Sequence, residues 1–201
     1  MKRPRDGRDR RELTLTEQAR RAQLIEVTID RIAEHGYSRT ALSHIAEGAG
    51  ITKAAVLYHF PTKAALIRAA HEHVLTALTE HIGAAITAVE AGQAPAAYIR
   101  AMIGHLREHP RHTRVIIEAM THEEGNHEPR QRWGPLADLL AGAREAPSHT
   151  SDEELRTTAI IIGGAIDAIV AEQLSDPDYD TAAAADHLVA TLYAGPTLRG
   201  R

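Results

Sequence analysis

The sequence predicts an all-α protein of about nine helices, on three observations. Straight-chain and small helix formers dominate, and only 3% of the residues are aromatic. Glycine and proline stand at isolated positions between stretches with helical periodicity, and no alternating β-branched run predicts a strand. The stretch ALSHIAEGAGITKAAVLYHF, residues 41–60, contains two short helical patterns separated by a break at Gly50.

Composition excludes several classes of protein and site. With no cysteine in its 201 residues, the chain has neither disulfides nor a thiolate metal site. Its first residues, MKRPRDGRDRR, lack the apolar core of a signal peptide. The most apolar stretch, residues 159–171, is too short to span a bilayer and contains Asp167. We therefore expect a cytoplasmic protein that makes no membrane contact.

Charge is distributed unevenly along the chain. Residues 1–65 have a formal charge of +4, whereas the remaining residues have −8. Residues 1–13 are rich in arginine and aperiodic, which predicts a disordered basic arm. A basic end on an acidic body suits a protein that offers one end to a polyanion, and such an arm could enter the minor groove of DNA.

The first helix begins between Thr14 and Thr16, because Thr14 and Glu17 have the spacing of a capping box. Its apolar face contains Ile25, Ile29 and Ile32 with Ala22 and Ala33, and it ends at residues 35–36, where Gly36 permits a left-handed cap.

Three further helix starts follow closely. Thr40 is the predicted N-cap of the second helix, residues 42–49, and Thr52 that of the third, residues 53–60. Pro61 prevents the third helix from continuing, and Thr62 can cap a long fourth helix.

Breaks at residues 92–95, 109–110, 125–129, 146–148 and 176–178 divide the rest into about five helices. The helix of residues 152–174 is well marked, since Ser151 and Glu154 have capping-box spacing, as do Thr150 and Glu153. The predicted organisation is an arm (residues 1–13), a three-helix domain (residues 14–65) and a larger helical domain (residues 66–201).

The break at Gly50 predicts a helix-turn-helix. In that motif two helices cross at a steep angle, which requires a small residue, a turn residue and an apolar anchor. Ala46, Gly50 and Val56 have these properties, although two unrelated helices joined by a glycine cap would give the same spacing. With Val56 inward, the outward face can enter the major groove of DNA. It contains Thr52, Lys53, Ala54, Leu57 and Tyr58, with His59 and Lys63 beside them.

Residues 24–66 resemble the DNA-binding domain of TetR-family transcriptional regulators. The similar parts are AEHGY ending the first helix, IAEGAG, the turn ITK, and YHFPTKAAL after it. The resemblance implies a homodimer that binds a palindromic double-stranded DNA operator and is released by a small-molecule effector. It places Thr52, Lys53, Ala54 and Tyr58 near base edges, and Thr40, Ser43, His59 and Lys63 at phosphates. Ala54 and Leu57 replace residues that are commonly glycine and tyrosine in this family.

The body offers two further predictions. The helix of residues 152–174 is apolar around most of its circumference, which suggests a four-helix dimer interface with the last helix, residues 181–193. The predicted interface residues are Ile162, Gly163, Ile166, Ile169, Val170 and Leu188. A predicted effector pocket between the middle helices, which could equally be ordinary core, consists of Tyr98, Met102, His105, Ile116, Met120 and Trp133.

Three other readings stay open. One is a DNA-binding regulator without a small-molecule ligand. Another is a zinc or nickel sensor using His105, His109 and His112, but Pro110 interrupts their helical face, so we predict no metal and no cofactor. An enzyme would need a catalytic motif, and none accompanies His122, Glu118 or Glu123, so we predict no catalytic residues.

Overall fold

The computed structural model describes residues 14–122, 129–143 and 151–195. Over these residues it contains nine α-helices and no strand, which confirms the predicted fold class. The chain divides into two compact units, with the division after Ala70. The predicted arm and the predicted breaks at 125–129 and 146–148 fall wholly or largely outside the described residues.

The first unit begins with α1 (Leu15–Arg39), α2 (Leu42–Gly48) and α3 (Lys53–His59). The predicted capping box is present: the Glu17 amide donates to Thr14 Oγ1 at 3.3 Å, and the Thr14 amide donates to Glu17 Oε2 at 2.8 Å. Gly36 has φ 77° and ψ 166°, so regular helical geometry stops where the sequence predicts, and one more turn follows to Arg39.

Thr40 does not cap α2, contrary to the prediction. Ala41 precedes that helix and no side chain caps it. Thr40 is 1% exposed, and its hydroxyl donates to the Gly36 carbonyl at 2.9 Å. The kink at Gly36 frees this carbonyl from the helix, and the nearest hydroxyl satisfies it.

The core of the first unit joins α1, α2 and α3 through apolar side chains that are almost fully buried. They are Leu24, Ile45, Ala46, Ala49, Val56, Phe60 and Leu66. The buried stripe of α1 consists of Leu24, Thr28, Ile29 and Ile32, whereas the predicted Ile25 is only partly buried. Thr28 is tolerated there because its hydroxyl donates to the Leu24 carbonyl at 2.7 Å.

The fourth helix, α4 (Lys63–Thr87), begins in the first unit and ends in the second. A 3-10 turn (Ala91–Gln93) and five helices follow, as predicted. The helices are α5 (Ala94–Glu108), α6 (Pro110–His122), α7 (Pro129–Gly142), α8 (Asp152–Ser175) and α9 (Thr181–Ala194). Helix α5 contacts each of the other four, and its Ile99 and Ile103 lie in the middle of the second core.

Helix α8 is more exposed than its composition suggests. Among the described helices it alone is long and apolar enough to cross a membrane. The stretch judged from the sequence was only residues 159–171, whereas the helix itself has 24 residues. One stripe, Leu155, Ala159, Ile162, Ile166 and Val170, packs into the core of the second unit. Much of its remaining apolar surface is uncovered in the single chain, with Ile161 64% exposed.

Gly50 allows a test of the turn between α2 and α3. Its φ is +65°, and a Cβ there would meet no atom within 4 Å, so Gly50→Ala introduces backbone strain without a clash. We expect the free energy of unfolding of the first unit to fall by about 1–2 kcal/mol in urea denaturation.

The matched control is Gly83→Ala in the middle of α4, where the φ is ordinary and the space is equally open. That variant should be unchanged or more stable by about 0.5–1 kcal/mol, because glycine weakens a helix interior. Equal effects of the two substitutions would contradict the assigned role of Gly50.

Candidate nucleic-acid interface

The turn before α3 satisfies its own backbone groups. The Gly50 amide donates to the Glu47 carbonyl at 3.1 Å, and the Ile51 amide donates to the Ala46 carbonyl at 2.9 Å, so the last carbonyls of α2 are paired. Thr52 Oγ1 then accepts from the Ala55 amide at 3.1 Å and begins α3, as predicted. The chain therefore ends one helix and starts the next within four residues.

One side of α3 is fixed in the core. Val56 is fully buried and Phe60, directly after the helix, is 2% exposed. They pack in one cluster with Ile45 and Ala46 of α2 and Leu24 of α1. Ala46 and Val56 thus lie in the core that the helix-turn-helix prediction requires.

Over the described residues, the opposite side of α3 is exposed. Thr52, Lys53 and Ala54 are exposed, Leu57 is 37% exposed and Tyr58 is 70% exposed. Ser43 on α2 is exposed as well. A short helix carrying an ammonium, a phenol, a hydroxyl and an apolar side chain has the size and the chemistry to contact base edges in a major groove.

Glu17 lies beside this face, which the sequence did not reveal. The Tyr58 hydroxyl donates to Glu17 Oε1 at 3.2 Å, while Oε2 of the same carboxylate accepts from Thr14. The capping box of α1 therefore also orients the exposed Tyr58 side chain of α3. It places a negative charge next to a surface that has to meet phosphates if it meets DNA.

Three of the nine predicted DNA-contacting residues are less available than expected. Thr40 is buried and its hydroxyl is used within the chain, so the predicted phosphate contact through that group is wrong for this conformation. Lys63 is half-buried, with Nζ donating to the Tyr37 carbonyl at 3.1 Å and lying 5.1 Å from the centre of the Tyr37 ring. His59 is also half-buried, so its phosphate contact and that of Lys63 stay predictions.

Arg21 holds the end of α3 and was missed by sequence reasoning. Its guanidinium donates to the His59 carbonyl and lies 4.0 Å from the centre of the Phe60 ring. This contact ties α1 to the last turn of α3 through a charged hydrogen bond and a cation–π interaction. Arg21 precedes Leu24 by three residues and so extends the buried stripe of α1, which was the available signal.

The predicted effector-pocket residues do not form a pocket together. Tyr98 is a core residue, Met102, Ile116 and Trp133 pack against that core, His105 is buried, and Met120 is 48% exposed. None of the six lines the groove of about 560 Å³ that the structure has between α4 and α5. Helical periodicity identifies an inward face, but it does not distinguish a filled core from a cavity.

The groove between α4 and α5 has a partly charged wall. Its lining includes Ala85, Val89 and Ala101 as apolar surface, and two arginines. Arg100 pairs with Asp186 at 2.8 Å and Arg107 pairs with Glu108 at 2.8 Å, both among exposed side chains. The groove could therefore accept an apolar ligand with an anionic end if these exposed pairs exchange partners.

Three of the six predicted dimer-interface residues face the core of their own chain. Ile162, Ile166 and Val170 are 4–6% exposed in the core of their own chain, while Gly163, Ile169 and Leu188 are partly buried. The exposed side instead presents Ile160, Ile161, Gly164 and Ala168. Because α8 is apolar on nearly every side, its sequence alone could not tell which stripe faces inward.

Residues 24–70 match the family model described as "Bacterial regulatory proteins, tetR family". This segment is a DNA-binding domain of the TetR family of transcriptional regulators. The matched segment covers α2, α3 and the buried stripe of α1, the elements that build the exposed face.

Named relatives agree with this TetR-family assignment. The chain is 31% identical over 84 residues to the regulator BetI of Ectopseudomonas mendocina, a match that spans 42% of the length of each. It is 28% identical over 148 residues to the repressor Rv3405c of Mycobacterium tuberculosis, covering 74% of this chain and 70% of the relative. The structure of the regulator FadR from Bacillus subtilis, solved with stearoyl-CoA, has a TM-score of 0.67 and 22% identity over 87% of this chain and 98% of that one.

Arg21→Ala tests the clamp on α3 of this TetR-family domain. Loss of the charged hydrogen bond and of the ring contact should lower the free energy of unfolding of the first unit by about 2 kcal/mol in urea denaturation. The control is Arg20→Ala, since the Arg20 guanidinium donates to Gln23 on the same helix, at 2.5 Å, rather than to α3. That change should stay within about 0.5 kcal/mol. An equal loss of unfolding free energy in both variants would show that Arg21 does not specifically stabilise α3.

Proposed function

We propose that the protein is a ligand-responsive transcriptional repressor that binds a palindromic operator as a homodimer, with one α3 in each half-site. The observation that carries this proposal is the exposed face of α3 on a helix whose other side is buried. A relative over most of the chain length is a repressor by name, which supports the sign of regulation. A DNA-binding protein in this role works in the cytoplasm.

Each exposed side chain of α3 has a chemical role in this proposal. The Lys53 ammonium donates to a guanine edge or to a phosphate, and the Thr52 hydroxyl can donate while its oxygen still accepts from Ala55. Leu57 offers an apolar contact to a thymine methyl group. Tyr58 exchanges its hydrogen bond with Glu17 for one with DNA, and Ser43 on α2 binds a phosphate.

Glu17 adds selectivity to this surface. A carboxylate near the DNA backbone repels phosphates, so binding is favourable only when Lys53 and Tyr58 gain contacts that offset this repulsion. A correct operator provides them and random DNA does not. In this proposal the positive charge of the first 65 residues supplies general attraction, and Glu17 lowers affinity for non-specific sites.

The exposed face of α8 is the proposed dimer interface, with α9 beside it. Ile161 is 64% exposed and Ile160 48% exposed, and Gly164 on the same face allows a partner helix to approach closely. Burying such apolar side chains against a second copy is favourable by roughly 25 cal/mol per Å². The two α3 helices of the dimer would then have to lie about 34–36 Å apart to match successive major grooves.

Helix α4 is the proposed link between ligand and DNA. It starts three residues after Phe60 and ends in the second unit, where its residues His81 and Ala85 border the groove together with Val89 of the turn that follows it. A ligand bound there would favour one position of α4 and so change the separation of the two α3 helices. The structural neighbour solved with stearoyl-CoA makes a small-molecule response plausible for this fold.

The alternative is a regulator without a small-molecule ligand, which acts only by binding DNA. The exposed arginine–carboxylate pairs in the groove favour it, because they leave the groove walls already neutralised. The two functions differ in one measurement. A compound that occupies the groove changes operator affinity under the first function and leaves it unchanged under the second.

Selection of bound sequences from a random duplex library tests the DNA-binding proposal. The intact protein should enrich a palindromic consensus at moderate salt. Lys53→Ala and Tyr58→Ala should each weaken binding to this consensus by about 10-fold or more. If Lys53 contacts a phosphate, Lys53→Ala should also reduce the slope of affinity against salt concentration by about one counterion.

The control for this selection is Arg100→Ala, which removes a positive charge from the second unit. That variant should bind the consensus like the intact protein. Failure to enrich any sequence, or equal losses in all three variants, would argue against α3 as the DNA reader.

Ile161→Glu tests the dimer interface. A buried carboxylate at the centre of an apolar interface should convert the dimer to monomers, measured by sedimentation equilibrium. Ile117→Glu on α6 is the matched control, because Ile117 is 40% exposed on a different helix, and it should leave the dimer intact. A dimer that survives Ile161→Glu unchanged would exclude this face of α8.

A further inference from the structure

Five histidines of the second unit lie close together although they come from three helices. They are His73 and His81 of α4, His105 and His109 at the end of α5, and His112 of α6. The ring of His105 lies 5.2 Å from that of His81, 4.4 Å from that of His109 and 6.0 Å from that of His112, between ring centres. His105 is therefore the centre of the cluster.

A bend at Pro110 assembles this cluster, whereas the sequence led us to expect that it would disrupt it. His109 ends α5 and Pro110 is the first residue of α6, a position that proline favours. The Thr113 hydroxyl donates to the Leu106 carbonyl at 2.7 Å and closes the bend. As a result the rings of His109 and His112 stack at 5.1 Å with 17° between their planes.

His105 is buried without satisfying its polar atoms within the chain. It is 4% exposed, and neither Nδ1 nor Nε2 has a hydrogen-bond partner. Burial, followed by the neighbouring histidines, lowers its pKa to about 4. Buried imidazoles normally have hydrogen-bond partners, and an unpaired ring among other imidazoles is a good ligand for a borderline metal ion.

The ring separations suit a tetrahedral site. With a metal–nitrogen distance of about 2.0–2.1 Å, the centres of two imidazoles bound at a tetrahedral angle are about 5 Å apart. The four measured separations among His81, His105, His109 and His112 range from 4.4 to 6.0 Å. Four of the six ring pairs therefore lie near the centre-to-centre distance that such a site requires.

We propose that His105, His109 and His112, with His81, bind one divalent transition-metal ion of the zinc, cobalt or nickel class. In the described part of the chain no three ligands meet at one point as placed, so binding requires the rings to turn. His81 and His109 are exposed and can turn at little cost, while His105 is held by burial. The site concerns the second unit alone and does not depend on the proposed DNA binding.

A titration of the untagged full-length protein with Co²⁺ tests the proposal, since tetrahedral cobalt has intense visible absorption. We expect one Co²⁺ per chain, displaced by Zn²⁺, with affinity falling at acidic pH as protons compete for the imidazoles. His109→Asn should weaken binding by about 10-fold or more. His187→Asn, an exposed histidine of α9 outside the cluster, should leave it unchanged.

His105→Leu provides a second variant that keeps the buried site filled with an apolar side chain. It should abolish the cobalt spectrum while the protein keeps its helical circular dichroism. The proposal is overturned if the intact protein shows no tetrahedral cobalt spectrum. It is also overturned if folded His105→Leu or His109→Asn binds cobalt as the intact protein does.

Discussion

The burial of Val56 and Phe60 against α1 and α2 is the constraint on which the first unit depends. Helix α3 has only seven residues, and a helix that short is not stable in water by itself. Its existence and its direction therefore come from packing against Leu24, Ile45 and Ala46 and from the Arg21 clamp at its end. Any change that loosens this packing would affect recognition without touching a DNA-contacting side chain.

The same packing decides which side chains can reach a partner. Because Val56 points inward, the next two residues, Leu57 and Tyr58, turn away from the core, while Thr52 and Lys53 are exposed at the start of the helix. In the chain without DNA, one hydrogen bond to Glu17 holds the Tyr58 side chain in place. One carboxylate thus both caps α1 and places a negative charge beside the exposed face of α3.

Local signals predicted most of the fold. The capping boxes of Thr14 with Glu17 and of Ser151 with Glu154, the stop at Gly36, the turn at Gly50 and the start of α3 at Thr52 are found as expected, because each depends on neighbouring residues alone. Thr150 of the third predicted capping box lies outside the described residues. Predictions that depended on distant residues fared less well. The inward stripe of α8 contains three of the residues assigned to the dimer, and Arg21 and Glu17 reach α3 from α1. The cap at Thr40 is a local prediction that is wrong, because the Thr40 hydroxyl donates to the Gly36 carbonyl instead.

At Pro110 a local signal led to the wrong expectation about side chains that packing brings together. A proline between histidines reads locally as an interruption of their common face, yet at the first position of α6 it turns the chain so that His112 stacks on His109. The approach of His81 comes from α4, which the spacing within the segment of residues 105–112 could not include. Side-chain clusters between helices are set by packing angles, and one sequence contains no direct signal of them.

Amide hydrogen exchange of the intact protein, with and without the selected operator duplex, tests the central claim most directly. The account predicts that DNA slows exchange most in the peptide containing residues 52–60, with smaller protection around Ser43, and leaves α5 and α7 unchanged. Protection concentrated in the second unit, with none in residues 52–60, would show that another surface contacts DNA and would contradict the role assigned to α3.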